Sequence, residues 1–288
     1  MMENKDFAVF ILTHGRPNNI KTLATLNKCG YTGRIYFIVD NEDKTINEYV
    51  ANFGDNVKVF DKKAMANQVD EGNNFDERRT ITHARNACFD IAKELGITYF
   101  IQLDDDYTAF HFRFLNKDRN KLLFNNVPDL DFVLDTYLKF YKSTNFKSVA
   151  FAQGGDFIGG ATGSNPNVFK SPLSRKCMNS FICSTERPFQ FVGAMNEDVN
   201  TYTTLGSRGD LFGTAPLCSL VQAATQSQKS GITDMYLRYG TYCKAFTTVM
   251  MHPSSVKVSM LNSNNPRIHH NIKWLNTTPV IIHQKHKK

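Results

Sequence analysis

Three adjacent carboxylates, Asp104-Asp105-Asp106, directly follow the apolar run Tyr99-Phe100-Ile101-Gln102-Leu103. Like charges side by side repel, so something must reward holding them there. A hard divalent cation bound through oxygen ligands is the simplest such reward, and it would usually also hold a diphosphate. The competing reading is a solvated acidic turn or a helix N-cap. Further ligands would come from His252 or from the pair His269-His270. A histidine with no metal is the ordinary alternative for each. A second acidic element, Glu197-Asp198, is the only adjacent acidic pair after residue 157. One of its carboxylates could be a general base for an acceptor hydroxyl and the other could bind that acceptor. Compensation of a helix N-terminal dipole is the plainer alternative. Arg78, Arg79 and Arg85, with Asn86 beside the last, could neutralise phosphate or brace the acidic loop. Lys62 and Lys63 are phosphate contacts or surface lysines.

These side chains need elements to hold them. Phe7–Leu12 is a continuous apolar run, as expected of a parallel strand buried on both faces, and it ends at Thr13-His14-Gly15-Arg16-Pro17. The apolar spacing predicts a helix over 17–29 with Gly30 just past its end. Strands follow over 35–39 and 57–60, then a helix over 80–95 stopped by Gly96, then the strand that ends at the acidic triplet. Polar residues recur after each strand: Thr13 to Arg16, Asp40 to Asp43, Asp61-Lys62, and Asp104 to Asp106. Ligands bind at the carboxyl ends of strands in open parallel sheets. Farther on, the spacing predicts a helix over 129–142 and a strand over 148–152. A Gly-rich stretch from Gln153 to Ser164 reads as a loop, since no phosphate-cradling glycine motif is present. Strand-like pieces are expected at 181–183, 189–192, 212–221 and 245–251, and a helix over 232–243.

The 288-residue chain carries 41% apolar residues, including 23 Phe, which excludes an intrinsically disordered chain. No apolar run approaches the roughly 18 residues needed to span a bilayer, and the opening run is too short for a signal peptide. The six cysteines form no close pair, so neither a disulfide framework nor a zinc site is expected. A reduced, cytoplasmic protein follows as the expectation. The net charge of +7 is unevenly spread: residues 1–110 sum to −4 and residues 111–288 to +11. No acidic residue follows Asp234, whereas Lys244, Lys257, Arg267, Lys273 and three lysines among the last four residues do. A polyanion, first of all nucleic acid, suits the basic half, and a generic cationic surface is the alternative.

Taken together, Thr13-His14-Gly15-Arg16-Pro17, Asp40-Asn41-Glu42-Asp43, Ala84-Arg85-Asn86, Gln102 to Tyr107 and Asn196-Glu197-Asp198 resemble a GT-A glycosyltransferase. With Arg267-Ile268-His269-His270-Asn271-Ile272-Lys273-Trp274 added, the set looks like the TET-associated glycosyltransferases, relatives of the base J glucosyltransferase. The resemblance implies an α/β fold of GT-A (Rossmann-like) type, a mostly parallel central sheet with helices on both faces. One domain over 1–288 is implied, with a nucleotide-sugar half (1–110) and an acceptor half (111–288). It implies a metal-dependent, inverting enzyme that moves glucose or a pentose such as arabinose from a UDP-sugar. The acceptor would be the hydroxymethyl group of 5-hydroxymethylcytosine or hydroxymethyluracil in DNA, often that of a bacteriophage in an infected cell. Thr13 and Arg16 would line the nucleotide pocket, Asp40 and Asp43 would meet uracil or ribose, and Lys62, Arg85, Asn86 and Asp105 would complete the donor site. Asp104 would face ribose and sugar, Asp106 would bind Mn2+ or Mg2+, and His270, or else His269 or His252, would complete the metal shell. Asp198 would be the base, with Glu197 beside it. Neither a membrane nor a protein partner is expected. Competing readings are a polysaccharide, lipid or protein acceptor, a nucleotidyltransferase or phosphohydrolase using the same triplet, and a catalytically silent DNA-binding protein.

Overall fold

Six consecutive buried residues, Phe7–Leu12, form strand β1 at the centre of the computed structural model, which describes residues 6–72, 78–116, 121–157, 173–222, 240, 242–261 and 266–279. Strand alternation makes both of its faces apolar. Phe7, Val9 and Ile11 enter one core, while Ala8, Phe10 and Leu12 enter a second core across the sheet. Strand β2 (Arg34–Asp40) pairs in parallel with β1, β3 (Val57–Phe60) with β2, and β4 (Tyr99–Asp104) with the other side of β1. Parallel neighbours need crossovers. Those are α1 (Lys21–Lys28), α2 (Ile46–Phe53), and the pair α3 (Lys62–Ala66) and α4 (Thr82–Glu94). The helices α1 and α4 are followed by Gly30 at φ 74° and Gly96 at φ 63°, left-handed positions where a side chain is penalised.

The chain then adds β5 (Tyr107–Asn116), β6 (Lys121–Asn126), α5 (Leu130–Ser143), β7 (Phe146–Ala152), β8 (Ser180–Ser184), α6 (Glu197–Ser207) and β9 (Leu211–Gln222). Asp129 caps α5, accepting a hydrogen bond from the backbone of Phe132 at 2.9 Å. One sheet of nine strands results, in the order β3-β2-β1-β4-β8-β7-β9-β5-β6. It is parallel through β3-β2-β1-β4 and again between β7 and β9; the other neighbours are antiparallel. Beyond it lie α7 (Cys243–Met251), the antiparallel hairpin β10 (Val256–Leu261) and β11 (Arg267–Ile272), and α8 (Trp274–Thr277).

Two segments differ from expectation. Residues 245–251 are helical, within α7, although their β-branched and aromatic content suggests a strand. Packing decides it: Ala245 and Thr248, three apart, are the residues α7 buries. Phe189 to Val192 is not a strand either. The Asn86 amide grips the backbone of Phe191 at both ends, donating to its carbonyl at 3.0 Å and accepting from its N–H at 2.8 Å. The hairpins β5–β6 and β10–β11 and the helices α2, α3 and α8 form where the sequence spacing predicts no element. Residues 158–164 of the Gly-rich stretch and 232–239 and 241 of the expected helix lie outside the described residues.

Candidate active site

The carboxyl ends of β1, β2 and β4 converge on the acidic triplet. Thr13, just past β1, donates its hydroxyl to Asp105 Oδ2 at 2.8 Å, and Arg16 Nη1 donates to Asp105 Oδ1 at 2.7 Å. The Tyr49 hydroxyl, carried by α2, lies 2.8 Å from Thr13 Oγ1 and accepts from the Arg16 backbone N–H at 2.8 Å. Next to this, Asp40 at the end of β2 holds His14 Nδ1 at 2.6 Å and Lys62 Nζ at 3.4 Å. Asp43 accepts from the N–H of Gly15 at 2.7 Å and from both N–H and hydroxyl of Thr45 at 2.8 and 2.7 Å. Burial raises the Asp40 carboxyl, but His14 and Lys62 outweigh it and leave the group below its usual range. The hydrogen bond to Asp40 raises His14 in turn.

Arg85 joins the two acidic elements. Its side chain is completely buried, under the rings of Phe181 and Phe191 at 5.0 and 5.8 Å. Nη2 donates to Asp104 Oδ1 at 3.0 Å and Nε to Glu197 Oε1 at 2.9 Å, so one guanidinium ties the end of β4 to the start of α6. Burial pushes Asp104 up to about 7; Arg85 opposes this, and the carboxylates of Asp106, Glu197 and Asp105 add to it. Burial also raises Asp105 and Asp106. Asp106 is bonded by the Gln222 side chain, yet its Oδ1 is buried with no hydrogen-bond partner.

Asn196 precedes α6 in the left-handed conformation, φ 54°. It is anchored by donating to the Lys244 carbonyl at 2.8 Å and the Thr248 hydroxyl at 2.9 Å on α7. That turn presents Asp198, whose Oδ1 accepts from the next backbone N–H at 2.7 Å. Burial, with Glu197 adding and Lys244 opposing, pushes Asp198 up to about 6. His270, buried on β11, has Nδ1 3.3 Å from the Asn196 amide nitrogen and Nε2 3.1 Å from Lys176 Nζ. Lys176 Nζ is also 3.2 Å from His269 Nε2. Burial, with Lys176, His269 and Lys244 adding, pushes His270 down to about 2, so its ring is neutral. His252 sits at the C-terminus of α7, about 6 Å along the helix axis beyond Thr248 at 1.5 Å per residue. It makes none of these contacts.

The residues singled out in the sequence thus fall into separate sets. Thr13, Arg16 and Asp105 share one hydrogen-bonded cluster with Tyr49, and Asp40, Asp43 and Lys62 lie beside it around His14. Arg85 joins Asp104 to Glu197, Asp198 follows Glu197, and His270 reaches Asn196 just before that pair. Asn86 is committed to the Phe191 backbone. His14, Tyr49, Asn196, Gln222, Lys176 and Lys244 also belong to the site. His14 and Asn196 stood inside the motifs quoted above; the other four carry no local pattern and are recruited by tertiary packing.

Among the described residues, no three His, Cys, Asp or Glu side chains gather as a ready ligand set. A hard cation at a diphosphate commonly takes one or two carboxylates and completes its shell from water and phosphate oxygens. Asp106, with its unpartnered buried oxygen, fits such an ion, and Asp104 is next to it in the chain. Among the described residues, no helix is long and apolar enough to cross a membrane.

No curated protein matches the chain. Among solved structures it is similar to glucosyl-3-phosphoglycerate synthase from Mycobacterium tuberculosis in complex with Mn2+, UDP and phosphoglyceric acid. That likeness has a TM-score of 0.47 at 11% identity and covers 93% of this chain and 87% of that one. A mannosyltransferase from Pyrobaculum calidifontis in complex with GDP-Man and Mn2+ gives a TM-score of 0.45 at 12% identity, over 85% and 73% of the two chains. The model of one family, the TET-Associated Glycosyltransferase family, matches residues 7–231. That span holds the triplet, the Arg85 bridge and the Glu197-Asp198 pair, and by this match the chain belongs to the TET-Associated Glycosyltransferase family and is a glycosyltransferase.

Proposed function

We propose that this enzyme, on a GT-A fold, moves a sugar from a UDP-sugar to the hydroxymethyl oxygen of a 5-hydroxymethylpyrimidine in DNA, with inversion. The observation that carries the reading is the Arg85 bridge. It sets the donor-side carboxylate Asp104 and the acceptor-side Glu197 on one guanidinium, with Asp198 the next residue. Thr13, Arg16 and Asp105 would form the wall of the nucleotide pocket, with Asp40, Asp43 and Lys62 beneath it. Asp106, with Asp104 next to it in the chain, would hold Mn2+ or Mg2+, which would offset charge on the departing diphosphate; His270, whose ring nitrogens face Lys176 and Asn196, lies outside that pair.

The chain's own chemistry is then an in-line exchange. Asp198 takes the hydroxymethyl proton while the oxygen attacks the anomeric carbon from the face opposite the diphosphate. The bond from that carbon to the phosphate oxygen breaks, and its electron pair leaves with UDP. A carboxyl raised to about 6 is still ionised near neutral pH and is a stronger base than an ordinary aspartate. Arg85 touches neither substrate in this scheme; it fixes the spacing of Asp104 and Glu197. DNA as acceptor is supported by the family and by the +11 balance of residues 111–288. A phage enzyme acting in the cytoplasm of its infected host suits this acceptor.

The test is mass spectrometry of nucleosides from 5-hydroxymethylcytosine and 5-hydroxymethyluracil DNA, incubated with the protein, Mn2+ or Mg2+, and a panel of nucleotide-sugars. A mass gain on the modified base is expected, its size separating hexose from pentose and the productive donor naming the nucleotide. Consumption of a donor with no gain on DNA would move the acceptor to another class of molecule.

A further inference from the structure

Asn179 has a left-handed backbone, φ 54°, which among the described non-glycine residues only Asn196 shares. Side chains resist that conformation and glycine does not, so the Asn179 side chain must repay its place. Its amide nitrogen donates to Gln222 Oε1 at 3.1 Å and lies 3.5 Å from Gln153 Oε1, at the limit of a hydrogen bond. Its backbone carbonyl accepts from the Tyr107 hydroxyl at 2.5 Å. Tyr107 is completely buried and directly follows Asp106 in the chain.

Gln222 closes a circuit. It ends β9 and is the cross-strand partner of Tyr107 at the start of β5. A side-chain amide accepts through its oxygen and donates through its nitrogen. With Oε1 committed to Asn179, the nitrogen is the group left for Asp106, which the Gln222 side chain bonds. An ionised carboxylate can only accept, so both bonds demand the same orientation of the amide. A flipped Gln222 would set oxygen against oxygen at Asp106 and donor against donor at Asn179. The circuit therefore runs from Asp106 to Tyr107, Asn179, Gln222 and back, through one peptide bond and three hydrogen bonds. It occupies one side of the Asp106 carboxyl and leaves the buried Oδ1 without a hydrogen-bond partner.

We infer that Asn179 and Gln222 are positioning residues for the divalent cation, fixing the Asp106 carboxyl so that Oδ1 is the oxygen offered to the ion. The inference rests on the reading of Asp106 as a metal ligand and adds what aims it. Neither residue touches the ion or a substrate; Asn179 acts through Gln222, and Gln222 through Asp106. A ligand carboxylate already held by a hydrogen bond has less freedom to lose when the cation arrives. Partners of this kind typically change metal affinity about ten- to hundredfold. A circuit that only braced the fold would change stability and leave the ion's affinity alone.

That difference is the test. Mn2+ affinity is measured by calorimetry in the presence of UDP for wild type, Asn179→Gly, Gln222→Met and the double variant. Metal-free thermal unfolding of each accompanies it. Asn179→Gly removes the amide and frees the backbone, while Gln222→Met keeps the length of the side chain without its polar ends. Each single variant is expected to raise the Mn2+ Kd about tenfold or more. The double variant should bind no more weakly than Gln222→Met, because residues acting in series are not additive. Wild-type affinity in either single variant overturns the inference, whatever its melting temperature, and so does a double variant in which the two losses multiply. If Asn179→Gly does not fold, Gln222→Met decides alone, and wild-type affinity there overturns the inference. Asp106→Asn separates the two levels. If it binds Mn2+ as wild type does, the metal reading falls and this inference with it. If it is weakened while the Asn179 and Gln222 variants are not, only this inference falls.

Discussion

A carboxylate kept out of water is useful only when something is about to arrive at it, a cation in one case and a proton in another. Asp106 and Asp198 sit on opposite sides of the Arg85 bridge, and their substitutions are expected to fail differently. Asp106→Asn keeps the shape of a residue whose Oδ1 has no partner, so the fold should survive. Mn2+-dependent tightening of donor binding should disappear, as calorimetry with and without metal would show; unchanged affinity would remove Asp106 from the metal shell. Asp198→Asn should bind donor and DNA as before and lose turnover by about a hundredfold or more, the usual worth of a general base. Near-normal turnover would assign the base elsewhere. Asp156 tests burial away from the chemistry. Its carboxyl is pushed up to about 6 by burial. A raised folded value favours the protonated form, so the stabilising contribution is complete below the unfolded value near 4 and is lost as pH rises through 6. The ionised group then costs about 3 kcal/mol at pH 7, from roughly two pK units at 1.36 kcal/mol each. Metal-free unfolding curves of Asp156→Asn and wild type should diverge from pH 4.5 to pH 7, the wild type losing ground. Parallel curves would mean that Asp156 is solvated.

Elements were legible in the sequence where one interaction dominates a segment. The runs of β1, β2 and β4 are apolar on both faces, so their ends and the polar residues just past them could be placed. Segment 245–251 failed because strand propensity and helical packing compete there, and burial of only Ala245 and Thr248 decided the outcome. The alternation Phe110, Phe112, Phe114 with His111 and Arg113 between them is the period-two pattern of strand β5. Of the site, carboxylates and arginines were visible because their types are chemical, whereas Tyr49 and Gln222 are chosen by register and distance that no local pattern encodes. One contact between elements gives a sharp prediction. Gly206 on α6 faces the Thr277 backbone carbonyl of α8, where a Cβ would collide, and Tyr202 stacks on Trp274 at 5.9 Å in the same interface. Gly206→Ala must push α8 off α6, costing roughly 1–3 kcal/mol as other overpacked cores do. At about 2–4 °C per kcal/mol, the melting temperature should fall by several degrees. An unchanged melting temperature would show that α8 does not depend on this contact.

At the scale of the molecule, one sheet carries two opposite electrostatic characters: −4 over residues 1–110 and +11 over residues 111–288. On the proposed reading the donor would be held chiefly by the acidic half, where Asp106 would hold the cation that offsets the diphosphate charge. The acceptor, on the DNA reading, is attracted by the basic half through many weakly placed phosphate contacts. Salt should separate the two. Each phosphate neutralised contributes a slope of about −0.9 to the logarithm of affinity against the logarithm of salt. Four such contacts would weaken DNA binding on the order of a hundredfold between 50 and 200 mM salt. A cation-bridged diphosphate in a partly buried site is screened far less, so UDP-sugar affinity should move only a few-fold over the same range. Fluorescence anisotropy with labelled DNA and calorimetry with UDP-sugar, in the same buffers, would measure both slopes. If the two run in parallel, the basic half is a surface charge with no acceptor attached to it. If only the DNA slope is steep, the asymmetry read from the sequence is the electrostatic footprint of the acceptor.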